Sequence, residues 1–179
     1  MSRIDGERLF LRKLTVADVS DAYVGWMNDA ETNRFLETRW TSHDRAAVEA
    51  FVADKQASET EHLYGIFLTE GRHIGNLKIG PVEPRHGRAP LSYFLGAKDV
   101  AGQGLATEAV KLGVRLAFEQ HGVRKLTAGA YDGNLASARV LEKAGFIKEG
   151  HLRGHFDFEG GRADMLEYGL LPSDLSEAG

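Results

Sequence analysis

Cysteine is absent from the 179 residues of this chain. Disulfide bonds, thiolate metal sites and a cysteine nucleophile are therefore excluded. Long apolar runs are absent as well, so we expect no membrane-spanning segment. Met1 is followed by charged residues rather than by the apolar core of a signal peptide. Together these absences favour a cytoplasmic protein.

A surplus of positive charge is also missing. The formal net charge is −4 and lysine and arginine form no run, so we expect no nucleic-acid partner. What is present, 42% hydrophobic and 27% charged residues without repeats or low-complexity tracts, is typical of a globular protein. Together with the chain length, this composition predicts a single domain over residues 1–179.

The most informative segment is a glycine-rich turn that runs directly into a predicted helix, GQGLATEA at residues 102–109. Such a segment directs unpaired backbone N–H groups and the positive end of a helix dipole to one point. It predicts a phosphate-binding site and hence a nucleotide-containing ligand. The alternative is that Gly102 and Gly104 serve only the turn that begins the helix.

Two common nucleotide-binding loops do not fit this segment. A nucleoside-triphosphate loop needs a lysine directly after its second glycine, but the first lysine after this segment's glycines is Lys111. A dinucleotide loop needs glycine or alanine in its third fixed place, where this chain has Thr107. Neither ATP nor NAD is therefore the favoured ligand.

A second motif, NLASARVLEKAGF, occupies residues 134–146. It predicts a short helix with Asn134 as its N-cap. Gly145, in a left-handed conformation, would end the helix, and Phe146 would return the chain to the core. Asn134 would serve as a helix cap even without a ligand, and a serine at the position of Ser137 commonly supports such a cap.

Together the two motifs resemble the GCN5-related N-acetyltransferases, and more narrowly the branch related to ribosomal-protein N-terminal acetyltransferases. The resemblance rests on GLA at residues 104–106, NLAS at 134–137 and KAGF at 143–146, and it extends over nearly the whole chain. One position departs from the superfamily pattern, because Ala101 stands where Gln or Arg is usual. Members of the branch often lack that residue too.

The apolar pattern predicts the order β-α-α-β-β-β-α-β-α-β-β. The strands are predicted near residues 7–12, 64–69, 74–79, 91–95, 126–130, 147–158 and 162–170, and the helices near 15–27, after Ser42, at 104–121 and after Asn134. The resemblance implies a mixed α/β (α+β) acetyltransferase fold. Its central, mostly antiparallel twisted sheet would splay at the coenzyme A site.

Residue spacing also predicts the faces of two helices. The helix after Ser42 carries Ala46, Ala50 and Phe51 at helical spacing. The helix at residues 104–121 is expected to expose Glu108 on its polar face.

The resemblance implies an enzyme that uses acetyl-coenzyme A as co-substrate, without a metal or a covalent enzyme intermediate. Asn134 and Ser137 would lie beside the pantetheine arm and the sulfur, and Ser137 is a candidate to reprotonate the departing thiolate. The strand backbone at Tyr93, Phe94 and Leu95 would bind the pantetheine arm and the thioester. The pyrophosphate would be bound by the amides of the glycine loop, which are those of Gln103, Gly104, Leu105, Ala106 and Thr107.

The sequence leaves the general base open. Glu37, His155 and Asp164 lie on segments that the family uses to line the acceptor cleft, and structural pairing is the alternative explanation for each of them. An α-amine with a pKa near 8 costs only about 1.4 kcal/mol to deprotonate at pH 7, and a lysine amine costs roughly 4–5 kcal/mol. The need for a base therefore depends on the acceptor.

The acceptor is open as well. Residues 26–39 and 75–78 resemble branch members that acetylate small amines, including amino sugars, while protein N-termini and amino-acid-like or drug-like amines remain alternatives. An acyl donor longer than acetyl is also left open. A non-catalytic coenzyme A or acyl-CoA sensor, or a partner-docking module of the same fold, is the alternative function. The branch further implies a homodimer.

Overall fold

The computed structural model of the chain describes residues 3–176. The ends of the predicted domain, residues 1–2 and 177–179, lie outside the described residues. The strands are β1 (Arg3–Asp5), β2 (Leu9–Lys13), β3 (His62–Leu68), β4 (His73–Ile79), β5 (Arg88–Leu95), β6 (Lys125–Tyr131), β7 (Ile147–Phe158) and β8 (Gly161–Leu170). The helices are α1 (Asp21–Asn28), α2 (Arg45–Ala57), α3 (Leu105–Gln120), α4 (Leu135–Lys143) and α5 (Pro172–Ser176).

The eight strands form one sheet in the order β1-β2-β3-β4-β5-β6-β8-β7. Every neighbouring pair is antiparallel except β5 and β6, which run parallel. This confirms the predicted mixed α/β fold with a mostly antiparallel sheet. The structure adds β1 and α5 to the predicted order, because three and five residues are too few to produce a recognisable apolar period.

The sheet opens between β5 and β6. The two strands pair only where residues 88–90 of β5 meet residues 125–127 of β6. Beyond that point residues 91–95 pair with β4 on one side, and residues 128–131 pair with β8 on the other. The predicted splay is therefore confirmed, and it leaves one edge of each parallel strand facing a V-shaped gap.

Helix α3 covers one face of the sheet. Leu105 and Leu116 are buried as predicted, and Gly113 lies so close to the sheet that an added Cβ would come within 2.7 Å of Leu77. The prediction that α3 exposes Glu108 is wrong. Its carboxylate is largely buried because it accepts hydrogen bonds from the backbone N–H and the guanidinium of Arg8, at 2.9 and 3.0 Å.

Helices α1 and α2 cover the opposite face, and α1 begins later than predicted. Thr15 does form a capping box, but it opens only the short 3-10 turn Val16–Asp18. The carboxylate of Asp18 is held by the guanidinium of Arg12, at 2.6 and 2.8 Å. The chain then becomes extended, and α1 starts after Ser20, whose hydroxyl caps it.

Helix α2 also differs from the prediction. It is capped by Asp44 rather than by Ser42, and the Asp44 carboxylate accepts a backbone N–H of the first turn at 2.7 Å. Val48 and Val52, four residues apart, form the buried stripe. Phe51 lies beside that stripe and remains 43% exposed.

The ion pair of Asp18 with Arg12 predicts a pH-dependent stability. The hydrogen bond from Arg12 is the main cause that lowers the pKa of Asp18 to about 2. Because this value lies below the usual unfolded value of about 3.9, the pair stabilises the fold above about pH 4, and the contribution is lost as the pH falls through 2. We expect Asp18→Asn to lower the free energy of unfolding by about 2 kcal/mol at pH 7 and by clearly less at pH 3.

Urea unfolding at the two pH values measures this effect. Asp5→Asn is the matched control, because Asp5 pairs with Arg3 at an exposed position and is expected to change stability little. If Asp18→Asn lowers the free energy of unfolding equally at both pH values, the ion pair of Asp18 with Arg12 is not the source of the stability.

Candidate active site

A cavity of about 1030 Å³ lies at the gap between β5 and β6. Its loop end is lined by residues 102–107, and its far end is lined by residues that include Phe35, Glu37, Tyr131 and Phe156. The volume is at the upper end of the range for small-molecule and cofactor sites. The cavity therefore connects an end formed by the glycine-rich loop with an end formed by aromatic side chains and a carboxylate.

The loop end is formed by the glycine-rich turn before α3. Gly102 and Gly104 have φ angles of +74° and +77°, which favour glycine. Gly104 precedes α3, and the first helical bond runs from the N–H of Glu108 to the carbonyl of Gly104. The amides of residues 105–107 thus lie before the first intrahelical bond, at the positive end of the helix dipole.

Arg8 fixes the conformation of this loop. Its guanidinium donates to the carbonyl of Gln103 at 2.7 Å and to the carboxylate of Glu108 at 3.0 Å. Burial would raise the pKa of Glu108, but the hydrogen bonds from Arg8 outweigh it and lower that pKa. Arg8 therefore connects the loop to the chain segment just before β2. Sequence reasoning missed this contact, because the partners are about a hundred residues apart.

Tyr93, Phe94 and Leu95 of β5 line the cavity where the strand has left β6. Their side chains alternate between the two faces of the sheet. The Tyr93 hydroxyl lies 3.2 Å from the hydroxyl of Ser137 in α4, whereas Phe94 packs edge-on against Trp26 in α1. Burial raises the pKa of Tyr93, so its hydroxyl stays protonated. The sequence indicated only the backbone of this tyrosine.

Asn134 and Ser137 also line the cavity. The side-chain oxygen of Asn134 accepts the backbone N–H of Ser137 at 3.2 Å, so the capping role expected from the sequence is present. Gly145 has the left-handed conformation, with φ +97°. The cap places the Ser137 hydroxyl beside the hydroxyl of Tyr93.

Of the three candidate bases, Glu37 alone lies among the described residues that line the cavity. Tyr131 donates a hydrogen bond of 2.5 Å to Oε1 of Glu37, and Arg39 donates to the same oxygen at 3.2 Å. Burial would raise the pKa of Glu37, but the hydrogen bonds from Tyr131 and Trp40 and the charge of Arg39 together lower it. The carboxylate is therefore ionised at neutral pH.

The other two candidates lie outside the described lining of the cavity. Asp164 accepts the backbone N–H of Gly154 and pairs with His151, both at 2.6 Å. The Gly154 bond is the main cause of its lowered pKa. His155 is exposed, and its ring packs edge-on against Phe156. Structural pairing accounts for Asp164, and neither residue faces the gap.

Sequence reasoning missed Tyr131, which lies at the C-terminal end of β6. Its ring stacks on Phe156 with 4.1 Å between centroids and lies 5.6 Å from the ring of Phe35. Burial, followed by the hydrogen bond to Glu37, raises the pKa of Tyr131 to about 12. Its position three residues before Asn134 was visible in the sequence, but its partners were not.

Two features are absent from residues 3–176, a metal-binding cluster and a membrane-spanning helix. Within that range, no three His, Asp or Glu side chains lie close enough together to hold a metal ion. No helix in the same range is long and apolar enough to cross a membrane.

The family described as Acetyltransferase (GNAT) domain matches residues 8–147. Probable N-acetyltransferase YjcK of Bacillus subtilis (strain 168) is 35% identical over 123 residues, which cover 68% of this chain and 67% of YjcK. The chain therefore belongs to the GNAT acetyltransferase family, and it is an acyltransferase.

Two further matches agree with this assignment. YdaF of Bacillus subtilis (strain 168), provisionally named a ribosomal N-acetyltransferase, is 26% identical over 117 residues, covering 65% of this chain and 63% of YdaF. The spermidine N-acetyltransferase of Vibrio cholerae, solved in complex with CoA and spermine, has a TM-score of 0.83 at 19% identity, covering 93% of this chain and 97% of that one. At this identity the likeness shows the fold.

Proposed function

We propose that this protein transfers the acetyl group of acetyl-coenzyme A directly to a primary amine within a ternary complex. The observation that carries the proposal is the single cavity that joins the amides of the glycine loop to the carboxylate of Glu37. Its middle section is the strand of Tyr93, Phe94 and Leu95. A nucleotide-bearing thioester and an amine could therefore meet without leaving the protein.

The loop end fits a pyrophosphate. A Cβ built on Gly102 would meet no atom within 4 Å, and one built on Gly104 would approach only Arg8, so the backbone is open to a ligand on that side. The amides of residues 103–107 would bind the phosphate oxygens. Arg139 and Lys143 of α4 line the same cavity and add positive charge. The open edge of β5 would align the pantetheine arm.

The far end fits an amine. Glu37 is ionised at neutral pH, and a carboxyl with a lowered pKa is a poor proton acceptor for an amine. We therefore assign Glu37 to holding and orienting the ammonium group. The ammonium group would first lose a proton to solvent, and the neutral amine would then attack the thioester carbonyl. As the C–S bond breaks, the thiolate, with a pKa near 8.5, would leave without strong acid assistance, and the nitrogen would lose its second proton to solvent. Ser137, paired with Tyr93, is the group that would pass a proton to sulfur, and it would regain that proton from solvent.

Thiol release from acetyl-coenzyme A with a panel of amines tests the proposal. We expect Glu37→Gln to lower kcat/KM for the amine about tenfold, because one charge-assisted hydrogen bond is lost. Coenzyme A affinity, measured by calorimetric titration, should change less than about twofold, because Glu37 lies at the far end.

The wild-type pH profile provides an independent check. Because its pKa is lowered, Glu37 is already ionised throughout the range from pH 6 to pH 9. The rise of kcat/KM in this range should therefore follow the deprotonation of the amine and not the titration of Glu37. Tight coenzyme A binding without turnover of any amine would contradict the proposal and favour a non-catalytic acyl-CoA sensor.

A further inference from the structure

We propose that the acceptor is a monoamine with an apolar, preferably aromatic, body, whose ammonium group binds Oε2 of Glu37 and whose body packs against Phe35 and Phe156. This inference rests on the proposed acetyl transfer and names its substrate class. Three observations carry it: the aromatic wall of the far end, the contacts that hold that wall, and the charges around it.

The wall is built from rings that support one another. Tyr131 is buried and stacks on Phe156 at 4.1 Å, and Phe35 stacks on Phe158 at 5.4 Å. Phe35 and Phe156 are only partly buried, and both line the cavity. They therefore keep apolar surface that a ligand could cover, and such burial favours apolar ligands.

The wall is also held in place without a ligand. Residues 31–40, which carry Phe35 and Glu37, are tied to the β7–β8 hairpin by two arginines. Arg34 pairs with the carboxylate of Glu159 at 2.7 Å, and Arg39 donates to the carbonyl of Asp157 at 2.9 Å. A pre-formed wall lowers the entropic cost of binding an apolar body.

Charges at the far end leave room for one ammonium group. Oε1 of Glu37 is occupied by Tyr131 and Arg39, whereas among the described residues Oε2 accepts one long bond of 3.4 Å, from Trp40. The Glu37 side chain is 62% exposed, so Oε2 is accessible to a ligand. The neighbouring lining carboxylate, Glu31, is already paired with Lys98 at 2.6 Å. The additional ammonium groups of a polyamine would therefore find no unpaired carboxylate among the described lining residues, and they would gain little affinity over a single ammonium group.

Two neutral polar groups of the cavity lining do not favour a sugar either. Asn76 Nδ2 and Thr38 Oγ1 each have less than 1 Å² of exposed surface. They are covered by protein and offer no surface to ligand hydroxyl groups. A polyhydroxylated amine would thus exchange water for apolar contacts without replacing its hydrogen bonds.

Four amines test the inference with the full-length protein: phenylalaninamide, glycinamide, spermidine and glucosamine. The first two share an α-amine with a pKa near 8, so the benzyl group is their main difference. We expect kcat/KM for phenylalaninamide to exceed that for glycinamide about tenfold or more, and to exceed the values for spermidine and glucosamine. Phe156→Ala should reduce the ratio of phenylalaninamide to glycinamide to less than about threefold.

Ile147→Ala is the matched control, because Ile147 lies on the same strand, is 55% exposed and is outside the described lining of the cavity. It should leave the ratio unchanged. Coenzyme A titration verifies that each variant is folded, and Phe35→Leu replaces Phe156→Ala if that variant does not fold.

The outcomes separate the inference from the function on which it rests. Preference for spermidine or glucosamine, or a ratio unaffected by Phe156→Ala, overturns the inference while acetyl transfer stands. Absence of turnover with all four amines, despite coenzyme A binding, overturns the proposed function and the inference with it.

Discussion

Replacing Gly104 with leucine should weaken coenzyme A binding about a hundredfold or more while the protein stays folded. The nearest atom to an added Cβ is a guanidinium nitrogen of Arg8 at 3.6 Å, so the Cβ itself fits. The rest of the leucine would extend into the loop end, where we propose that backbone amides bind pyrophosphate. Loss of two charge-assisted hydrogen bonds, each worth about 1.5–3 kcal/mol, gives an effect of this size.

Backbone strain must be separated from the loss of the ligand site. Gly104 has φ +77°, and a leucine in that conformation costs roughly 1–2 kcal/mol of stability. Gly71→Leu is the matched control: Gly71 has φ +94° in the β3–β4 turn, no atom lies within 4 Å of its Cβ position, and it is outside the described lining of the cavity. It should bind coenzyme A normally. Unchanged affinity in Gly104→Leu would show that the glycine loop does not hold the pyrophosphate.

Gly75→Ala should cause the largest loss of stability, about 3 kcal/mol, or roughly 6–12 °C in Tm. A Cβ on Gly75 would lie 2.2 Å from the carbonyl oxygen of Phe94 and 2.9 Å from Cα of Leu95. Both are backbone atoms, so no side-chain rotation relieves the clash. Because β4 would be pushed away from the strand proposed to align the thioester, turnover should fall as well.

Gly25→Ala is the matched control for this substitution. Gly25 lies inside α1, and no atom is within 4 Å of its Cβ position. Alanine is the better helix former, so this variant should gain about 0.5–1 kcal/mol. Thermal and denaturant unfolding of both variants measures the difference. If Gly75→Ala lowers the free energy of unfolding by less than about 1 kcal/mol, β4 and β5 can move apart to accept the added Cβ, and the expected backbone clash is wrong.

The sequence predicted the elements of this protein well, because the features that define them are local. Predicted strand and α3 boundaries lie within about three residues of the observed ones. The left-handed conformation of Gly145 and the cap at Asn134 were also predicted. Each depends on a few neighbouring residues whose backbone preferences and capping groups are readable in order along the chain.

Predictions were wrong where a side chain had a partner on another element or outside its own helix. Glu108 fits the polar face of α3 by spacing, but Arg8 binds it across the loop. Thr15 and Asp18 resemble the start of a long helix, but Arg12 holds Asp18 and the turn ends there. Periodicity describes one element at a time, and it cannot include an ion pair between two elements.

The sequence by itself thus determined the family, the fold and the glycine loop before α3, whereas the tertiary structure decided which residues surround the far end of the cavity. Glu37 meets Tyr131 across 94 positions of chain. On β7 the register shifts between Leu152 and Phe156, but side-chain burial still alternates, with His155 exposed and Phe156 partly buried. Phe156 consequently lines the cavity and His155 does not. Such contacts depend on strand register and helix packing, which local residue preferences do not encode.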